Sequence, residues 1–595
     1  MATDDAPQSS NLEKLNANIA KVEELSKRLI AAMLRRETAD PSLQGPGTDF
    51  YMKTASAYVA EMMANPTKLI EHQVRYWGKA LKHFVEANQS LATDKLQAPP
   101  DEQDRDPRFS NPLWRTHPYF NFVKQQYQMS SEAIFKAVDD LEGLDDEDRK
   151  RVRFFAQQII KMMSPSNFLG TNPDALERAV ATDGQSLVDG MENLVRDIEA
   201  NDGNLLVTLA DKDAFKVGEN LATAEGSVVY RNRMFELIQY APKTEKVRKL
   251  PLIIFPPWIN KFYILDLKPT NSLIRWIVEQ GYTLFVVSWA NPDETYADVS
   301  LDDYIEEGYL TAFDVVKEIT GEARLNAIGY CIAGTVLAIT LALLKKRGDN
   351  SVRSATFLTT LTDFADQGEV GVFLTNDFVD GIERQVAVDG IMKSFYLTRT
   401  FSFLRSNDLV YTPAIRSYMM GEAPPAFDLL YWNGDSTNLP GKMTMQYLRD
   451  LCQDNLFAQG GLRILGELVQ LKDISAPLCV IACETDHIAA WKASFEGVRQ
   501  MGSRDKTFIV SESGHIAGIV NPPSKNKYGH YTNDGPMKEA DDWLATAEHH
   551  EGSWWPRWEA WLRRRSGARI PALSPGVGTY PVLAPAPGAY VTVQS

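Results

Sequence analysis

The sequence predicts an α/β fold, a mostly parallel sheet under helices, preceded by an all-helical region. Three observations carry that prediction. From Asn204 onward, short apolar runs alternate with helical patterns, the sign of strands buried on both faces. One of those runs passes directly into a helix through Gly329-Tyr330-Cys331-Ile332-Ala333-Gly334. Before Asn204, apolar residues recur every three or four positions, with charged residues between them.

Composition sets the outer bounds. A chain of 595 residues exceeds one ordinary domain and can bury a large core. Its 44% hydrophobic and 24% charged residues suit a globular protein. A formal net charge of −16 argues against nucleic-acid binding, which needs a basic face. No apolar run approaches the ~18 residues of a membrane helix, and Met1 to Gln8 lacks the pattern of a signal peptide. The four cysteines show no disulfide spacing, and Cys479 and Cys483 lack the matching pair a zinc site needs. A cytoplasmic protein without metal or cofactor is expected.

The first element is an amphipathic helix marked by Leu12, Leu15, Ile19, Val22, Leu25, Leu29 and Met33. Helical patterns continue through Tyr51–Ala64 and Thr67–Ala87, then a Pro/Asp-rich linker, Ala98 to Pro107. After an aromatic cluster from Phe109 to Tyr127, helices are expected over Ser130–Met163, Asn172–Thr182 and Gly184–Asn201. This stretch, residues 1–201, reads as one helical domain suited to partner contacts. Residues 202–570 read as the catalytic domain and 571–595 as a tail.

Strands are expected at Leu205–Leu209, Ser227–Tyr230, Phe235–Tyr240, Leu250–Phe255 and Tyr282–Ser288. Helices at Thr270–Glu279 and Leu301–Ile319 lie between and after them. Later strands are expected at Ala355–Leu361 and Pro477–Ala482, with Lys506–Val510 as the last.

The strand–turn–helix around Cys331 has the grammar of a nucleophile elbow, in which small neighbours let a strained backbone close. A sulfur at the start of a helix is favoured as thiolate. The bland alternative is a buried cysteine on a glycine-rich turn. An elbow inside such a sheet specifies the α/β-hydrolase fold, whose acid and His follow the nucleophile on loops after later strands. Asp486 and His515 stand in that order, each just past a strand. His487 is a rival base, but Asp486 cannot readily orient it across one peptide bond, so it is assigned to the site lining. Oxyanion donors should be the N–H of Ile332 and one from the loop Phe255 to Lys261. Pro256 and Pro257 have no N–H, which leaves Trp258 or a neighbour.

These residues, with several longer motifs, resemble the class I polyhydroxyalkanoate synthases. The motifs are Ser164-Pro-Ser-Asn-Phe168, Pro256-Pro-Trp-Ile-Asn-Lys-Phe-Tyr-Ile-Leu-Asp266, Ser288-Trp-Ala-Asn-Pro292 and the Cys331 box. Further along come Phe427-Asp-Leu-Leu-Tyr-Trp-Asn-Gly-Asp-Ser-Thr-Asn438, Tyr447-Leu-Arg449, Asp486-His487, Gly514-His515, Trp554-Trp-Pro-Arg-Trp558 and Pro585-Ala-Pro-Gly-Ala-Tyr-Val591. The family's nucleophile, acid and base fall on Cys331, Asp486 and His515. Two departures stand out: Ala333 where the box usually has Gly, and Ala490 where Pro usually precedes Trp491.

The resemblance implies a cap inserted at about 364–450. It implies polymerisation of (R)-3-hydroxyacyl-coenzyme A, short-chain and most simply 3-hydroxybutyryl, with release of coenzyme A. Asn260 and Trp491 would line the site, and Arg449 is a candidate for a coenzyme A phosphate, a surface ion pair being the alternative. Implied partners are the growing polyester, a second copy in a homodimer, phasin-type granule proteins and the granule surface in the cytoplasm. A thiol nucleophile fits, because exchanging thioesters keeps the acyl group activated for transfer to a hydroxyl. Asp486 would orient His515 or also assist the incoming 3-hydroxyl. The weak acidity of an alcohol tilts the expectation toward assistance. A thioesterase or polyester depolymerase on the same fold, or a granule-coating structural protein, are the other readings.

Overall fold

In the computed structural model, residues 6–35 and 106–594 are described. The helical patterns at Tyr51–Ala64 and Thr67–Ala87, and nearly all of the linker, lie outside them. Two compact units are present. One takes the described residues up to Asp211 together with Arg399–Pro425; the other takes Lys212–Thr398 and the chain from Ala426.

The first unit contains α1 (Ala6–Met33), α2 (Pro118–Asp139), α3 (Asp146–Met162), α4 (Pro173–Ala181) and α5 (Gln185–Ala200). The single helix expected over Ser130–Met163 is two. Gly143 at φ +80° breaks the pattern, and the Asp145 side chain caps α3 by accepting the Asp148 N–H. The segment Arg399–Pro425 packs closely on α5. A Cβ on Gly190 would lie 2.1 Å from the Tyr418 carbonyl oxygen. The Tyr418 hydroxyl donates to Asp197 at 2.7 Å, and the Asn193 amide donates to the Ser417 and Glu422 carbonyls at 3.1 Å each. Leu205–Leu209, expected as a strand, is not one: the Thr208 N–H is spent on the Asp197 carboxylate instead of a ladder.

The second unit is built on a mixed sheet of eleven strands. They are β1 (Gly226–Arg231), β2 (Phe235–Tyr240), β3 (Leu252–Phe255), β4 (Leu284–Trp289), β5 (Leu325–Tyr330) and β6 (Val352–Leu358). The rest are β7 (Leu478–Cys483), β8 (Lys506–Ser511), β9 (His530–Thr532), β10 (Glu548–His550) and β11 (Ala584–Pro585). The spatial order is 10-9-8-7-6-5-3-4-2-1-11. The six strands β4, β3, β5, β6, β7 and β8 run parallel, and antiparallel strands extend both ends.

The parallel strands are largely buried on both faces, which is why β3 and β7 read as unbroken apolar runs. Lys506–Ser511 is not the last strand. His530–Thr532 and Glu548–His550 are polar, three residues long and at the sheet edge, so they carry no apolar signal. The tail after Pro571 is not loose either: β11 pairs antiparallel with β1. The buried Glu236 carboxylate accepts the Ala589 and Tyr590 N–H groups at 2.9 Å each.

Helices α6 (Leu273–Glu279), α7 (Thr311–Thr320) and α8 (Ile332–Lys346) belong to this unit. The helix expected over Leu301–Ile319 is present but widens into a π-turn at Tyr304–Leu310. Room is tight there, since a Cβ on Gly308 would approach the Trp289 ring to 3.0 Å. The region expected as a cap is helical, with α9 (Asn376–Asp389), α10 (Ser394–Leu404), α11 (Asp428–Gly434) and α12 (Gly441–Gln446). Beyond it lie α13 (Trp491–Gln500) and α14 (Trp555–Arg563).

Candidate active site

Strand β5 ends at Tyr330 and α8 begins at Ile332, so Cys331 alone makes the turn, at φ +55° and ψ −127°. That conformation is strained for any residue with a Cβ. It is held because β5 and α8 touch. A Cβ on Gly329 would lie 2.5 Å from the Gly334 Cα, and one on Gly334 would lie 2.0 Å from the Thr360 hydroxyl oxygen. Ala333 is also buried, but the crossing is made by Gly329 and Gly334. Its methyl therefore fits without opening the elbow, and its carbonyl accepts the Tyr309 hydroxyl at 2.7 Å.

His515 lies four residues past β8. Its Nδ1 is 2.7 Å from Asp486 Oδ2, and the Asp486 side chain has no exposed surface. The other oxygen, Oδ1, accepts the N–H groups of Ile488 and Ala489 at 2.8 and 2.9 Å. Both carboxylate oxygens are thus occupied, one by the imidazole and one by the backbone. The imidazole ring lies over Tyr330, whose hydroxyl donates to the His515 carbonyl at 3.1 Å. The chain beyond is held by tryptophans preceding and opening α14. The Trp554 and Trp555 indoles donate to the Gly518 and Ile519 carbonyls at 2.8 and 2.9 Å.

Burial works against a charged His515. The Asp486 carboxylate, the Cys331 sulfur and the hydrogen bonds to each outweigh it and raise the His515 pKa to about 10. The three other thiols are buried, and burial pushes each of them up, Cys452 to about 12. Cys331, by contrast, is half-buried and beside a base. Such a trio can take a thiol proton onto an imidazole whose ring is fixed by a carboxylate.

Of the expected site residues, Cys331, Asp486 and His515 come together. Ile332 is the first residue of α8, so its N–H has no acceptor inside the helix. Trp258 is buried in the loop after β3, its indole 4.5 Å from Tyr304 and 5.4 Å from Trp289 between ring centroids. Asn260 in the same loop gives its amide to Ser436 at 3.2 Å. His487 is half-buried beside Asp486, and Trp491 is buried at the start of α13. Arg449 binds Asp380 and Glu383, the latter at 2.8 Å. Sequence reasoning assigned nothing to Tyr330, Tyr309 or Thr437, all of which bond the site's backbone. Among the described residues there is no group of three or more His, Cys, Asp or Glu that could hold a metal ion, and no helix is long and apolar enough to cross a membrane.

Comparison with known proteins agrees with this geometry. Residues 105–277 match the family model of the poly-beta-hydroxybutyrate polymerase N-terminus, and residues 252–522 match that of the alpha/beta hydrolase fold. The chain is 38% identical to a poly(3-hydroxyalkanoate) polymerase subunit of Rhizobium meliloti, over 98% of this chain and 95% of that one. It is 38% identical to a poly(3-hydroxyalkanoate) polymerase of Methylorubrum extorquens, over 99% of both. A polymerase subunit of Cupriavidus necator is 40% identical over 89% of both. An elbow cysteine, a carboxylate-held histidine on the expected strands and similarity along nearly the whole length converge: the chain belongs to the poly(3-hydroxyalkanoate) polymerase family, on an alpha/beta hydrolase fold.

Proposed function

We propose that this chain polymerises (R)-3-hydroxyacyl-coenzyme A, with the 3-hydroxybutyryl thioester as its short-chain substrate, through an acyl-enzyme on Cys331. The observation that carries the reading is the buried Asp486–His515 pair set against the one half-exposed thiol, in a chain of this family. With its pKa raised against burial by Asp486 and the Cys331 sulfur, His515 holds the Cys331 proton as the sulfur attacks the thioester carbonyl. The Ile332 and Trp258 N–H groups receive the oxyanion. The carbon–sulfur bond to coenzyme A breaks, and the departing thiolate takes the proton back from His515. A 3-hydroxyl then attacks the acyl-Cys331, an oxygen ester forms, and the Cys331 sulfur leaves.

His515, and not Asp486, is the base for that hydroxyl. Asp486 has no exposed side-chain surface, and both its oxygens are already engaged. This departs from the expectation that Asp486 assists the alcohol directly. His487, Asn260 and Trp491 line the site in this reading. Arg449 is paired with Asp380 and Glu383, so we assign it to that ion pair and not to a coenzyme A phosphate. The helical region up to residue 201 serves dimer, granule or phasin-type contacts, and residues 364–450 form the cap inserted between β6 and β7.

The test uses purified protein with (R)-3-hydroxybutyryl-coenzyme A, following thiol release and insoluble product together. Thiol release with polymer supports the reading. Release yielding only free hydroxyacid would make the chain a thioesterase, and no release would leave it a coat protein.

A further inference from the structure

The loop after β3 is held from outside. Three of its carbonyls are taken by one short segment about 175 residues further along. Thr437 Oγ1 donates to the Trp258 carbonyl. The Thr437 N–H donates to the Ile259 carbonyl at 3.0 Å, and the Trp432 indole N–H donates to the Lys261 carbonyl at 2.7 Å. Side chains repeat the pattern: Asn260 bonds Ser436, the Lys261 ammonium donates to Asp435 Oδ1 at 2.5 Å, and the Tyr263 hydroxyl donates to Asp435 Oδ2 at 2.8 Å. The Lys261 and Asp435 side chains are only 4% and 10% exposed. Such a pair breaks only at the cost of stranding a charge. The segment is itself anchored, because the Asn438 N–H donates to Asn291 Oδ1 at 2.9 Å and its amide to the Pro292 carbonyl at 3.1 Å.

We infer that residues Trp432 to Thr437 form a positioning clamp that fixes the Trp258 N–H as an oxyanion donor. The inference rests on the oxyanion role proposed above for Trp258. The peptide plane carrying that N–H is bounded on one side by Pro257, whose ring sets φ. On the other side, Thr437 donates its hydroxyl to the Trp258 carbonyl and its N–H to the next carbonyl, that of Ile259. An oxyanion donor accelerates only when it is aimed before the charge develops. Two prolines and an apolar indole supply no aim of their own. Thr437, Ser436 and Asp435 are therefore positioning residues, acting through the loop without touching substrate.

The test replaces Thr437 by Val, which keeps the branched shape but removes the hydroxyl, and by Ser, which keeps the hydroxyl. Loosening a donor costs less than the ~10²–10³ of deleting one, so T437V should slow the first coenzyme A release by about tenfold. KM should stay within about twofold and T437S should recover the rate to within about twofold. The pH profile of Cys331 alkylation by iodoacetamide should not move, since Cys331, His515 and Asp486 are untouched. A T437V rate equal to wild type overturns the clamp. So does a T437S rate as low as that of T437V, or a T437V loss matched by an equal loss of alkylation. If the wild type releases no coenzyme A, or C331A releases it as fast, the proposed function falls first. If the wild type is active, C331A dead and T437V unchanged, the clamp alone falls.

Discussion

The elbow and the loop after β3, to which we assign an oxyanion donor, are stabilised in opposite ways. The elbow is local: Gly329, Cys331 and Gly334 lie within six residues, and their backbone contact sets the turn. The loop after β3 is held remotely: three of its carbonyls and its lysine are satisfied by residues 432–437. A local device fails when an atom is added to it, because nothing can move aside. A remote one fails when a bond is removed elsewhere, and its own residues still look intact.

The largest effect should come from the elbow's sulfur. C331A should lower coenzyme A release by at least ~10⁴-fold, as deletion of a nucleophile does. Its melting temperature should stay within a few degrees of wild type. Polymer formation above about a tenth of the wild-type rate in purified C331A would remove Cys331 from the chemistry.

Next is the partner of His515. Asp486→Asn keeps the shape but offers an N–H where the imidazole needs an acceptor, so a loss of ~10²–10⁴ is expected. Because both oxygens of Asp486 are occupied, burst and steady-state coenzyme A release should fall by similar factors in rapid-quench experiments. A retained burst with a depressed steady rate would restore a direct role toward the alcohol. The same variant tests the charge. With its pKa raised from 6.5 to about 10, protonated His515 contributes stability that is full below pH 6.5 and is lost as pH rises toward 10. Melting temperatures should therefore decline across that window in wild type and decline less in Asp486→Asn. Parallel slopes would show that Asp486 does not hold the proton.

The local character of the elbow is sharpened by two glycine exchanges. Gly329→Ala puts a methyl 2.5 Å from the Gly334 Cα, and overpacking of that kind costs ~1–3 kcal/mol or more. Denaturant midpoints and activity should both drop. Ala333→Gly, which restores the usual family pattern, should be the mildest change. It costs about 1 kcal/mol of helix propensity. Activity should stay within about twofold; a large gain would mean that Ala333 strains the turn after all.

The same contrast explains what could be read from the chain alone. Leu250–Phe255 was legible as a strand because residues buried on both faces, Leu252–Phe255, are written as an apolar run. The order Cys331, Asp486, His515 was legible because the fold dictates it. Thr437 was not: a Thr in a polar stretch between helices reads as a turn, and the carbonyls it serves carry no side-chain signature. The π-turn at Tyr304–Leu310 was hidden for a related reason. Residues five apart, Tyr304 and Tyr309, face one aromatic cluster, and a 3.6-residue stripe does not reveal an extra residue. His530–Thr532 and Glu548–His550 were invisible because strands of three mostly polar residues carry no apolar run.

Glu236 and the residues that cover it have a consequence in time. They are separated by 353 positions, which at ~5–20 residues per second is roughly 20 to 70 s of translation. Throughout that interval β1 has no neighbour on its outer side, and Glu236 has Arg231 but not the two amides that complete its shell. A nascent chain therefore carries an open sheet border while its interior strands are already synthesised, and slow codons between β1 and β11 would prolong the exposure. Chaperone demand in the producing cell should follow the length of that wait more closely than the stability of the finished protein.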